Sequence, residues 1–277
     1  MQILVATGGA SHSVVAVTFA AHLARLSPAT LAVLTVVKAE RERASAERIL
    51  ANARFLLDPL LAREQYTLHF RVGHPAEEII AEAERGAYQL VVVGEKQHPG
   101  LLSRFGMGST ALRLVEHAPC PVVVVKGQVG PVERLLICDS GLEQESNLVE
   151  RVRGQLPALL RKAREITVLH VMSQIGAGPG VDGHLLRADA AQLIEERAFE
   201  GELLDHDVAL LEAAGYVTRP KVRHGLVVDE ILAEAREGDY DIVIIGAHHG
   251  QGWRRILLDD ISHQIVVGLD RPVLVVR

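Results

Sequence analysis

Two tandem α/β domains, each a doubly wound, five-stranded parallel sheet, are what this sequence predicts, and two observations support that. The first is a repeat. Residues 71–94, RVGHPAEEIIAEAERGAYQLVVVG, align without a gap onto 223–246, RHGLVVDEILAEAREGDYDIVIIG, with eleven identities in twenty-four positions. The repeated unit is far too long for a solenoid repeat, so two copies of a whole domain follow. The second observation is the stretch 91–125, VVVGEKQHPGLLSRFGMGSTALRLVEHAPCPVVVV, which reads as strand, loop, helix, strand. Continuous Val/Ile runs joined by a crossover helix are the mark of a parallel sheet buried on both faces.

The elements follow in order. QILVAT at 2–7 is a first strand, and Gly8-Gly9-Ala10-Ser11 turns it into a helix over about 13–26. Residues 31–37 form a second strand, 40–61 place apolar residues at helical spacing between charges, and 66–72 alternate as a third strand. Pro75 suits a helix start, because its missing N–H costs nothing there, and that helix runs to about Arg85. A strand at 90–93, the loop, a short helix and a last strand at 122–125 complete a βαβαβαβαβ order with helices on both faces. The linker is 127–130, and domains at 1–127 and 131–277 follow from it. The second copy opens with RLLICD at 134–139, and its remaining strands fall at 166–172, 218–223, 241–245 and 272–276. It is longer by about twenty residues, inserted mostly after its second strand. That insertion, within 173–214, holds the glycine-rich SQIGAGPGVDG and a helical pattern over about 184–214 interrupted at Gly201. No Lys-Ser/Thr follows GAGPG at the spacing of a phosphate-binding loop, so it reads as a connector.

Composition bounds the function. The 277 residues include 48% hydrophobic ones, but no apolar run approaches the roughly 18 residues that span a bilayer. The opening MQILVATGG has no basic leader and reads as a strand, so a cytoplasmic protein is expected. A net charge of −6 with interspersed signs, and 4% aromatic residues, give no nucleic-acid footprint. Cys120 and Cys138 lie in or beside β-branched runs and read as buried structural thiols without a disulfide.

The glycine-containing loop that brings β-branched residues 91–93 to Gly108-Ser109-Thr110 places backbone N–H groups and hydroxyls at a helix start, which suits a phosphate. N-cap and turn roles for the same residues are the plain alternative.

ILVATGGASHSVVAVTFAAHLA, VGHPAEEIIAEA, VVVGEK and GSTALRLVEHAPCPVVVV together resemble the universal stress protein family in its tandem two-domain form, over nearly the whole chain. The resemblance implies a five-stranded parallel sheet of the HUP (Rossmann-like) class in each domain. It also implies that the last strands, 122–125 and 273–276, pair across a pseudo-twofold axis to make an intramolecular pseudo-dimer, and is compatible with a homodimer of tandem chains. ATP-binding members hold adenine and ribose beside an Asp after the first strand and beside the second strand's end, and hold phosphates with a G-x2-G-x9-G-S/T pattern. In the first copy, Thr7 stands at the Asp position, Val37 at the second strand's end, and Gly94, Gly108, Ser109 and Thr110 at the phosphate positions. Its loop is one residue longer, and Gln97 or His98 replaces the middle glycine. In the second copy, Asp139 and Gly246 match, but His249 replaces the middle glycine and Asp259-Asp260 replace the Gly-Ser pair. Two unit charges about 4 Å apart repel by ~1 kcal/mol in water and ~4 kcal/mol at an effective dielectric of 20. The second site is therefore expected to be degenerate, leaving at most one adenine-nucleotide site, in the first copy, for ATP with Mg²⁺ held weakly.

Other constellations are weaker. His248, His249, Asp259, Asp260 and His263 lack the closed spacing of a zinc site and read as a solvated loop, so no metal is expected. Ser109 has no assigned general base and Ser11 and Ser103 read as loop residues, so no catalytic residue is named; slow ATP hydrolysis is the one reaction left open. A stress-response or ligand-sensing protein is the leading reading. The alternative is an interaction module that recruits a protein partner or an apolar ligand through the insertion, using Leu185, Leu186, Leu193, Ile194, Leu203, Leu204, Leu210 and Leu211.

Overall fold

The computed structural model describes residues 1–25, 29–96, 107–127, 129–139, 147–172, 187–247 and 260–277. The first copy contributes strands Gln2–Ala6 (β1), Thr30–Val37 (β2), Tyr66–Val72 (β3), Leu90–Gly94 (β4) and Val122–Val125 (β5). Arg134–Cys138 (β6), Glu165–Met172 (β7), Thr218–His224 (β8), Ile242–Gly246 (β9) and Val273–Val276 (β10) belong to the second. Helices Ser11–Arg25 (α1), Arg43–Leu57 (α2), Pro75–Arg85 (α3) and Ser109–His117 (α4) alternate with the first five strands. The second copy has Leu148–Gln155 (α5), Pro157–Leu160 (α6), Ala190–Glu195 (α7), Phe199–Glu212 (α8), Val227–Glu237 (α9) and Asp260–Gly268 (α10).

One ten-stranded sheet runs β3-β2-β1-β4-β5-β10-β9-β6-β7-β8. Each half is parallel throughout, and the halves join through the antiparallel pair β5–β10, with Leu274 opposite Val123. This is the implied intramolecular pseudo-dimer. Side-chain alternation on buried strands dictates two cores, one per face. Ile3 and Val5 of β1 enter a core covered by α1, α2, α5 and α8, with Phe19, Leu57, Val152 and Leu204. Leu4 and Ala6 enter the opposite core, under α3, α4, α9 and α10, with Ile79, Leu114, Ile231 and Val266. Both cores contain residues of both copies, so hydrophobic burial is continuous across the seam. The sheet's edges are β3 and β8, whose residues are mostly half-exposed. Pro220, Lys221 and Arg223 blunt the β8 edge against further pairing.

The repeat's identities gain a structural meaning here. On the first copy, Arg71 of β3 pairs with Glu78 (3.3 Å) and Glu82 of α3. The Tyr88 hydroxyl donates to Glu82 at 3.1 Å, and His69 Nε2 lies 3.4 Å from the same carboxylate. In the second copy, Arg223 pairs with Glu230 (2.7 Å) and Glu234 (2.9 Å), Lys221 with Glu234 (2.7 Å), and the Tyr240 hydroxyl donates to Glu234 at 2.6 Å. The strongest repeat signal thus pins a helix to an edge strand, away from the centre of the sheet.

Three expectations need correction. The helical pattern after β7 breaks at 196–198, not at Gly201: Arg197 takes a left-handed φ of 52°, and Gly201 lies inside α8. Gly201 is required by contact, because a Cβ there would stand 2.0 Å from the Leu193 carbonyl oxygen of α7. Ser11 is the first residue of α1, not a loop residue. Cys120 is buried but Cys138 only partly so; both are free thiols. Among the described residues, no helix is long and apolar enough to cross a membrane.

Candidate functional site

In an open parallel sheet, ligands bind outside the carboxyl ends of the strands where the strand order reverses. That switch point lies between β1 and β4 in the first half and between β6 and β9 in the second. The register sets Ala6 opposite Val93 and Leu34, so Thr7, one residue on, is level with Gly94 and Thr35. Of the first-copy residues singled out, Thr7, Gly94, Gly108, Ser109 and Thr110 reach this edge, and Val37 closes β2 nearby. His98 lies outside the described residues.

Thr7 is 5% exposed and belongs to a hydroxyl network. Its Oγ1 donates to Ser13 Oγ at 3.2 Å and accepts from the Gly9 N–H at 3.3 Å, while Thr35 Oγ1 donates to the Thr7 carbonyl at 2.7 Å. Gly94 has a packing reason: a Cβ would sit 2.2 Å from the His12 carbonyl oxygen, so the first turn of α1 rests on the end of β4. At α4 the N-cap is Gly108, without a side-chain cap. Ser109 is therefore the first helical residue and, like Gly108, exposed; it does not cap its own helix. Glu95, which sequence reasoning passed over, accepts a hydrogen bond from the Gly108 N–H at 3.1 Å.

The second half repeats the frame with other side chains. His170 occupies the place of Thr35, and its Nδ1 lies 3.2 Å from the Asp139 carbonyl oxygen, as Thr35 meets Thr7. Asp139 Oδ2 accepts the Leu148 N–H at 3.0 Å, at the start of α5. Beyond it stands Asp207 of α8, fully buried, taking a hydrogen bond from Asn147, which also caps α5 through the Glu150 N–H at 2.8 Å. Met172, the counterpart of Val37, is packed beneath Ala188 and Leu193 around α7. Gly246 receives Ser262 Oγ on its carbonyl at 3.3 Å. Asp259 and the His248-His249 pair lie outside the described residues, and no group of three or more potential metal ligands occurs among the described ones. The insertion's leucines also turn inward: Leu193, Leu204 and Leu211 are buried. Ile194 and Leu210 pack against the core. Leu185 and Leu186 are outside the described residues.

Burial pushes the Asp207 carboxyl up to about 8, reinforced by the charges of Asp139 and Glu150 and opposed by the Asn147 hydrogen bond. A folded-state value above the unfolded 3.8 means that stability is fullest below pH 3.8 and is lost as pH rises through 8. Asp207→Asn is expected to raise the melting temperature at pH 8 and to flatten that dependence. An unchanged slope of melting temperature against pH between 4 and 8 in the variant would show that Asp207 is not the group responsible.

A model of the Universal stress protein family matches residues 1–126 and 132–277. A universal stress protein of Mycolicibacterium smegmatis is 27% identical over 207 residues, covering 72% of this chain; the match spans only 64% of that relative's own length. One from Methanocaldococcus jannaschii is 26% identical over 127 residues, 42% of this chain and 78% of the relative. Among solved structures, a universal stress protein from Archaeoglobus fulgidus superposes with a TM-score of 0.71 at 16% identity, covering 100% of this chain and 98% of the other. A Pseudomonas aeruginosa protein described as functionally unknown gives 0.67 at 18% identity, covering 99% and 92%. The structural likenesses bear on the fold, and the family model bears on both copies. The chain belongs to the universal stress protein family, with its domain present twice.

Proposed function

We propose that this chain is a ligand-sensing, cytoplasmic member of its family, not an enzyme, with domains 1–127 and 131–277 and one weak adenine-nucleotide site in the first. The observation behind this reading is the contrast between the two switch points. In the first half Thr7, Gly94, Gly108 and Ser109 line the strand ends, with Gly108 and Ser109 exposed; in the second, the sequence puts Asp259 and Asp260 where the first has Gly108 and Ser109. Thr7 offers one hydroxyl where an aspartate would hold the nucleoside, which removes an acceptor without adding repulsion and weakens binding by about 1–3 kcal/mol. Mg²⁺ enters only as the companion of a bound triphosphate.

Calorimetric titration with adenosine, AMP and Mg-ATP tests the reading. One site per chain is expected, and Ser109→Asp, which adds a carboxylate at the start of α4, should weaken AMP at least about tenfold. Two equivalent sites, or no heat from any adenine compound at millimolar concentration, would overturn it.

A further inference from the structure

Glu95 follows β4 directly and is 7% exposed. Its backbone N–H continues the ladder to the Val125 carbonyl at 2.9 Å, so the residue is held by the sheet. Its side chain turns to the start of α4, where Oε1 takes the Gly108 N–H at 3.1 Å. Oε2 lies 2.9 Å from the point a Cβ on Gly108 would occupy, so a side chain there would push the carboxylate aside. A helix N-terminus favours one anion, and here the protein supplies it. The cation whose charge Glu95 most evidently meets is Lys126, and its Nζ is already engaged by the carbonyls of Val266 (2.6 Å) and Val267 (3.1 Å). An entering phosphate would meet the Glu95 carboxylate at the start of α4, where that carboxylate already takes the Gly108 N–H. The second copy has Ala247 in the corresponding position.

We propose that Glu95 is a built-in anion that sets the ligand class of the first-copy site, admitting the nucleoside part of a ligand and turning away its phosphates. This rests on the adenine-site reading above. Specificity of this kind comes from a repulsive element as much as from an attractive one.

The test compares the parent with Glu95→Gln, which keeps an acceptor for Gly108 and drops the charge, and Glu95→Ala, which clears the space. Adenosine, ATP without magnesium, and pyrophosphate are titrated against each, after thermal melts have shown which variants fold. The parent is expected to bind adenosine more tightly than ATP and to ignore pyrophosphate. The folded variants should gain at least about tenfold for ATP and for pyrophosphate, with adenosine unchanged. Adenosine binding with no gain for ATP or pyrophosphate in either variant overturns the role of Glu95 and leaves the adenine site standing. If no adenine compound binds at all, that site falls; a pyrophosphate gain in the variants still supports the carboxylate's role, and its absence overturns that role too.

Discussion

Glu234→Ala is expected to cost about 3 kcal/mol of folding stability, among the largest effects of any single change in this chain. The Glu234 side chain is 0% exposed and accepts from Lys221, Arg223 and Tyr240. Removing it leaves Lys221 and the Tyr240 hydroxyl without their carboxylate and takes one of three from Arg223, which keeps Glu230 and Glu237. A buried group left without its partner is penalised more than the intact pair is rewarded. Lys221 is 41% exposed and can turn to water, which places the figure at the low end of the usual range for broken buried pairs. Burial acts to raise the Glu234 value, but hydrogen bonds from Lys221, Tyr240 and Arg223 outweigh it and the net shift is downward from 4.5. Its contribution is therefore present above pH 4.5 and lost as pH falls through the lower folded-state value. Parent and variant should differ in denaturant midpoint at pH 7 and converge in acid. A midpoint difference that persists unchanged in acid would mean that packing, not the ion network, sets the loss. Glu82→Ala should cost less, since Glu82 is 14% exposed and Arg71 meets it without a lysine beside it.

The seam between the two halves is expected to depend on a reciprocal pair of caps. Lys126, just after β5, donates to the last carbonyls of α10, Val266 and Val267, in the other half. Arg277, just after β10, donates to Ala118 (2.6 Å) and Val115 at the end of α4. Each residue extends a seam strand and satisfies the orphan carbonyls of the opposite copy's last helix, where a cation also suits the dipole. Hydrogen bonds from charged donors contribute about 1.5–3 kcal/mol each, so Lys126→Met and Arg277→Met should each lower stability by about 2 kcal/mol. Lys126 carries a pH signature: burial pushes its ammonium down to about 8, against the attraction of Glu95 and Asp270. Between pH 8 and 10.5 the unfolded chain binds a proton that the folded one has released, so stability rises with pH in that window. Lys126→Met should remove the rise. A parent without that rise, or variants as stable as the parent, would show that the caps do not hold the seam.

The fold was legible because its strands are unbroken Val/Ile runs and its helices space Ala76, Ile79 and Ala83, or Leu50, Ala53 and Leu57, along one face. Gly201 misled because a helical glycine reads as a break, whereas here it permits the close crossing of α8 over Leu193. The site was half legible. Thr7, Gly94, Gly108 and Ser109 are findable because they end strands or start a helix. Glu95 hides because an acid after a strand reads as a solvated loop residue, and only the return of the chain to Gly108 reveals what it meets. Asp207 hides because nothing in the pattern of α8 marks its approach to Asn147 and Asp139. Thr35 and His170 left a signal that went unused: they occupy the same place in β2 and β7 and reach back to the residue that ends the neighbouring strand.

In the reading proposed here the first half receives the adenine ligand and the second does not. Amide hydrogen–deuterium exchange with and without saturating adenosine measures this directly. Added protection is expected at 7–13, around Gly94 and at 107–112, with none at 139 or 147–150. Protection at Asp139 and Leu148, with the first half unchanged, would contradict it.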